Sequence, residues 1–159
     1  MRPVAHASTI IDGLETQILL QNYADRVLVL VTQLGKVGCL IQATIPQTTP
    51  LSAPPTAEDS ASSALPSPPP SIQLTPILGH PPSDELHSFY NLLASQIATL
   101  IWTHEEVEFG DGVGIGGNRR PIIVGLALKN SLLGGSEAEV KLEAQFKGVG
   151  AATLDLLRA

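Results

Sequence analysis

Residues 26–45, RVLVLVTQLGKVGCLIQATI, carry two apolar runs separated by a turn bounded by Gly35 and Gly38. The first run, residues 27–31, has no polar residue on either parity. Side chains of a strand alternate between the two faces of its sheet. A run that is apolar on both parities therefore requires cover on both faces. A short chain is poorly supplied with two such covers, and the mismatch points to a protein that works by binding another protein.

The surrounding pattern predicts strands at 4–11 and 17–23, joined through Asp12-Gly13, a favoured tight-turn pair. Strands at 26–34 and 38–45 follow, joined through the turn at 35–37. Read in order, these four form an antiparallel meander. Residues 72–78 predict an edge strand, since Pro76 argues against a central place. The clearest helix is predicted at 84–103. Ser83 is its N-cap, and Asp84 and Glu85 lie where the helix dipole favours negative charge. Leu86, Phe89, Tyr90, Leu93, Ile97, Leu100 and Ile101 recur at three- and four-residue steps, giving one apolar stripe. A strand apolar on both parities is predicted at 122–128 after Pro121. Residues 137–157 read as helical, interrupted at Gly148 and Gly150.

Between these elements lie segments of another kind. Eight of the 13 prolines fall in residues 46–71, among Ser, Thr and Ala, so this stretch reads as a disordered Pro/Ser-rich insert within a single domain covering 1–159. Pro68-Pro69-Pro70 has the composition of a ligand for a Pro-reading module, although a plain surface loop explains it with less. Residues 110–120, GDGVGIGGNRR, read as a flexible loop.

Composition narrows the function classes. The chain has 159 residues, 43% hydrophobic and only 15% charged, which fits one packed domain rather than a disordered chain. Its net charge of -6, with Arg119-Arg120 the nearest thing to a basic cluster, argues against nonspecific nucleic-acid binding. The single cysteine, Cys39, excludes an internal disulfide. The N-terminus, MRPVAHASTIID, lacks the apolar core of a signal peptide. No window approaches the roughly 20 apolar residues that span a bilayer. A soluble protein of the cytosol or nucleus is expected.

Candidate chemistry is sparse. Gly112 to Gly117 match G-x-G-x-x-G, but a phosphate cradle needs a strand before it and a helix after it, and here the order is reversed. His6, His80, His87 and His104 lack metal-ligand spacing, with His87 and His104 expected on the rim of the helix. Glu105, Glu106 and Glu108 read as a solvated charge run beyond the helix end. No nucleophile elbow surrounds any serine, and Cys39 beside Gly38 reads as a small packed residue. No catalytic, cofactor or metal site is expected, and a nucleotide-binding enzyme is the disfavoured alternative.

The segment RVLVLVTQLGKVGCLIQ at 26–42, above all the LVLVTQxGKxG pattern from Leu28 to Gly38, resembles the proteasome assembly chaperone 3 family. Gly13 and Thr16-Gln17 match upstream without a gap, and the helix at 84–103 and IIVGLALK at 122–129 fall in the family's order. The resemblance covers about residues 9–45 and 72–130. It implies an α+β fold, a six-stranded antiparallel sheet with two helices packed on one face, and a sheet-mediated dimer, usually with the related chaperone 4. It further implies a non-enzymatic pair that binds α subunits of the 20S proteasome, promotes α-ring assembly and leaves before the particle matures. The insert at 46–71, the loop at 110–118 and the tail after Gly134 depart from the compact family core. For the dimer face the candidates are Val27, Val29 and Val31, or the opposite parity, Leu28 and Leu30. For contacts to an acidic subunit surface they are Lys36, Arg119 and Arg120. A homodimer could form in isolation, and a sheet-dimerising adaptor unrelated to proteasomes is the other reading.

Overall fold

The computed structural model describes residues 4–51, 65–109, 119–129 and 136–159. The elements in chain order are β1 (Val4–Ile11), β2 (Leu14–Asn22), β3 (Val27–Thr32), β4 (Cys39–Thr44), β5 (Gln73–Leu78), α1 (Asp84–Phe109), β6 (Ile122–Ala127) and α2 (Ser136–Arg158). The fold is α+β, with two helices on one face of a six-stranded sheet. The Gly-rich loop at 110–118, the Gly134-Gly135 turn and the middle of the Pro/Ser-rich stretch, 52–64, lie outside the described residues.

The sheet is mixed, not antiparallel throughout as expected. Its strand order is β1-β2-β3-β6-β4-β5. β6 inserts between β3 and β4, parallel to β3 and antiparallel to β4. The expected four-strand meander is thus split after its third strand. The physical reason lies in β6 itself: IIVGLA is apolar on both parities, and such a strand hides more when it has neighbours on both sides. A parallel neighbour requires a long crossover, which α1 provides between β5 and β6. The six residues 33–38 easily span the gap of about 10 Å between strands two places apart.

Where the chain crosses the end of β6 it approaches closely. Gly38 has φ +69°, and a Cβ there would lie 2.2 Å from the Leu126 carbonyl oxygen. Glycine is required at that point for its conformation and for its missing side chain. The β1–β2 turn follows its sequence signature, with Asp12 at φ 51° and Gly13 at φ 76°, the pair of positive values that a tight hairpin turn uses.

The core lies between the sheet and the helices. Ile18, Val27, Val29, Val31, Ile41, Ile122, Val124 and Leu126 meet Leu93, Ile97 and Ile101 of α1 and Val149 of α2. α1 lies over β4 and β6, and α2 over β1 and β2. Ser83 caps α1 as expected, its Oγ accepting from Leu86 N at 3.3 Å. α1 continues past the expected end at 103 because the acidic residues there are paired. Glu105 and Glu106 form ion pairs with Arg120 and Arg119. Glu105 is only 7% exposed, so the charge run is part of the helix and not a solvated tail. The side chain of Glu108 lies outside the described set. α2 is continuous through Gly148 and Gly150.

Candidate protein-interaction face

The alternation of β3 separates the two sets of candidate residues. Val27, Val29 and Val31 are 0% exposed, sealed beneath the helices, and so are not available as a surface. Leu28 and Leu30 point to the opposite face, half-buried by their neighbours in the sheet. Among the described residues no helix or strand packs over that face; only the 33–38 loop reaches over it, at the end of β6.

The strand register arranges the open face in rows. Leu19 is opposite Leu30, Leu30 opposite Gly125, Gly125 opposite Leu40 and Leu40 opposite Leu78. This is one apolar row across five strands, interrupted only by a residue without a side chain. The gap is filled from three sides: the tips of Leu30 and Leu40 lie 2.5 and 3.1 Å, and the Val37 carbonyl oxygen of the 33–38 loop 3.3 Å, from where a Gly125 Cβ would be. Leu28 pairs with Ile123 in the adjacent row, which widens the row into an island. Polar residues flank it. Gln21 stands opposite Leu28, Gln42 opposite Ile123 and Thr75 opposite Gln42, with Gln17 and Thr32 paired on the other side. An apolar centre inside a polar rim is the anatomy of a protein interface. Six strands about 4.8 Å apart and roughly 20 Å long give a face of roughly 600 Å². That is the scale of one partner's share, about 800 Å², in an interface of standard size.

Leu28 and Leu30 of this face are among the sequence candidates; Leu19, Leu40, Leu78 and Ile123 are not. The signal for Ile123 was present, since residues 122–128 are apolar on both parities. The row itself needed the register, which the inserted β6 sets.

The three cationic candidates separate. Lys36 lies in the exposed loop 33–38. Arg119 donates to the carbonyl oxygens of Pro46 and Thr49 at 3.0 and 2.7 Å and pairs with Glu106. Arg120 donates to the Tyr23 carbonyl oxygen at 2.6 Å and pairs with Glu105. Both guanidiniums are thus engaged within the chain, where they tie the start of β6 to α1 and the neighbouring loops. Trp102 adds a further tie, donating from Nε1 to the Arg120 carbonyl oxygen at 2.9 Å.

The glycine turn between β3 and β4 is organised by the residues before it. Thr32 Oγ1 accepts from Leu34 N and Lys36 N, each at 3.2 Å. Gln33 Nε2 donates to Thr16 Oγ1 at 3.0 Å and to Gln145 Oε1 at 2.8 Å, and its Oε1 accepts from Lys129 N at 2.9 Å. The TQxGKxG pattern is therefore architectural: Thr32 forms the turn, Gln33 joins β2, α2 and the end of β6, and Gly38 clears the β6 backbone.

No three His, Cys, Asp or Glu residues converge on a metal-sized site among the described residues. Cys39 is buried, and burial pushes its thiol up from the ordinary range against the opposing pull of Lys36. A raised thiol pKa is the wrong direction for a nucleophile. No described helix is long and apolar enough to cross a membrane.

No family model matches the chain, and no curated protein matches it. A solved structure described as a novel chaperone complex for yeast 20S proteasome assembly is similar to it at 11% sequence identity and a TM-score of 0.47, over 94% of this chain and 98% of that one.

Proposed function

We propose that this chain is a non-catalytic assembly chaperone. Through the open face of its sheet it pairs with a related protein of the proteasome assembly chaperone 4 type. The pair binds α subunits of the 20S proteasome and promotes α-ring assembly in the cytosol or nucleus. The observation that carries this reading is the apolar island of Leu19, Leu28, Leu30, Leu40 and Ile123 within a polar rim. The assignment to the proteasome rests on the resemblance of residues 26–42 to the assembly chaperone 3 family. In this reading the mechanism is binding alone: the pair presents one surface, favours correct neighbours and excludes wrong ones by overlap. Lys36, in the loop beside the island, is the proposed cation for an acidic subunit surface.

Affinity purification of the tagged chain with mass spectrometry tests the proposal. A related small chaperone and free α subunits are expected, with mature proteasome depleted. Recovery of a different partner set, such as trafficking proteins without any α subunit, would replace it with the adaptor reading while leaving the sheet face as the interface.

A further inference from the structure

The end of the Pro/Ser-rich stretch does not hang free. Pro66 is buried, and its carbonyl oxygen accepts from Gln96 Nε2 of α1 at 2.9 Å. Leu65 reaches α2, where its Cδ1 lies 2.5 Å from the place a Gly150 Cβ would occupy. Residues 65–66 therefore bridge the two helices. The paired glycines of α2 explain how. Gly148 receives Ile11 of β1, whose Cγ2 lies 2.7 Å from a Cβ built there. Two residues further, about 200° round the helix, Gly150 receives Leu65 from the other side. α2 is held between the sheet and this segment.

Proline has no N–H, so the carbonyl oxygen is the backbone handle at Pro66, and a side chain holds it rather than a strand. Gln96 is 2% exposed on a helix whose neighbouring turns are apolar. If the segment lifts away, Gln96 meets water and loses nothing it cannot replace. Gly148 and Gly150 also weaken the helix they serve, so α2 relies on packing from both sides.

We propose that Leu65-Pro66 is a latch on the α1–α2 groove: closed, it pins the second half of α2 to the sheet; open, it releases that half. Its occupant is this chain's own segment, and the device acts on the helical layer, opposite the face assigned to dimerisation.

Hydrogen exchange on the full chain tests this with three forms: wild type, Leu65→Ser, and a Leu65→Cys/Gly150→Cys variant oxidised to lock the segment down. Native Cys39 is buried, so it does not compete for the cross-link. Amides of residues 149–158 are expected to exchange at least tenfold faster in Leu65→Ser than in the locked form, with the wild type between them and the β3 and β6 amides unchanged. Reduction of the locked form returns it toward Leu65→Ser. Equal rates in all three forms would overturn the latch. A wild type as slow as the locked form would make the segment a fixed strut, and one as fast as Leu65→Ser would make it unlatched; either result overturns the proposal.

Discussion

Both faces of β3 and β6 are largely apolar, but the two faces of the sheet are furnished differently. On the helix-covered face Ile18, Val27, Val29, Val31, Ile41, Ile122 and Val124 are buried and β-branched, with Leu20 and Leu126 the exceptions. On the open face the apolar residues of the central strands are Leu19, Leu28, Leu30 and Leu40, with Ile123 the β-branched exception. β-Branched side chains are stiff about χ1 and lose little freedom on packing. Leucine keeps more rotamers in reserve. A surface that stands in water between encounters and then meets another protein is suited by the second kind. The difference teaches that hydrophobic patterning identifies how many faces need cover, and that side-chain branching carries part of the answer to which face the chain covers itself.

Neighbouring residues on β3 test the comparison most severely. Val29→Asp puts a carboxylate at a fully buried site opposite Leu20 and Val124. An uncompensated buried charge costs on the order of 5 kcal/mol, comparable with the whole stability of a small domain. The variant is expected to be unfolded or insoluble. Leu30→Asp places the same charge one residue away on the open face. It should keep its far-UV circular dichroism and melt within a few degrees of the parent, yet appear as a monomer by light scattering under conditions where the parent associates. If Leu30→Asp unfolds as Val29→Asp does, or stays associated, the two faces are not what they are taken to be here.

The next contrast is between two glycines of one loop. Gly35 and Gly38 both have φ +69°, but a Cβ at Gly35 meets nothing within 4 Å, whereas one at Gly38 would collide with the backbone of Leu126. Gly35→Ala should cost about 1 kcal/mol, the conformational penalty alone. Gly38→Ala must also push β4 away from β6, and about 3 kcal/mol or more is expected, read from chemical denaturation. Equal costs would mean that the loop yields where the β6 crossing says it cannot.

Much of this was legible beforehand. The strand β1, the cap at Ser83, the α1 stripe and the apolar strand β6 follow from period and turn chemistry, because those signals are local. The place of β6 between β3 and β4 was not, since Gly35 and Gly38 are what a simple hairpin would also use. Only the close approach of Gly38 to Leu126 distinguishes a turn from a crossing, and that is a tertiary fact. The same applies to Arg119 and Arg120. A pair of arginines after a glycine-rich loop reads as free charge, and their partners Glu105 and Glu106 read as a tail. Each pair became structural when α1 ran on to bring them together. The open face was half visible in Leu28 and Leu30. Leu19, Leu40 and Leu78 joined it only through the register.

The smallest effect expected is a pH dependence confined to the covered side. Burial raises the Cys39 thiol above its ordinary 9.0, with Lys36 opposing. Burial also raises the Tyr90 phenol above 10.0, against the donation from Leu128 N at 3.1 Å and with Cys39 adding a little. Both groups lose their protons more readily in the unfolded chain. Well below pH 9 both are protonated in either state, and stability is complete. As pH rises the unfolded state ionises first, so stability falls, beginning near the thiol value and continuing past the phenol value. Denaturation midpoints measured from about pH 8 to about pH 11 should decline, and Cys39→Ala should remove the earlier part of the decline. Tyr90→Phe should remove the later part, at a constant cost of about 1–3 kcal/mol for the Leu128 N–H left without its acceptor. Leu40→Ala, next to Cys39 in the strand but on the other face, should leave the profile unmoved. A shift with Leu40→Ala as large as with Cys39→Ala would mean that the two faces share one environment, and the distinction between them would fail.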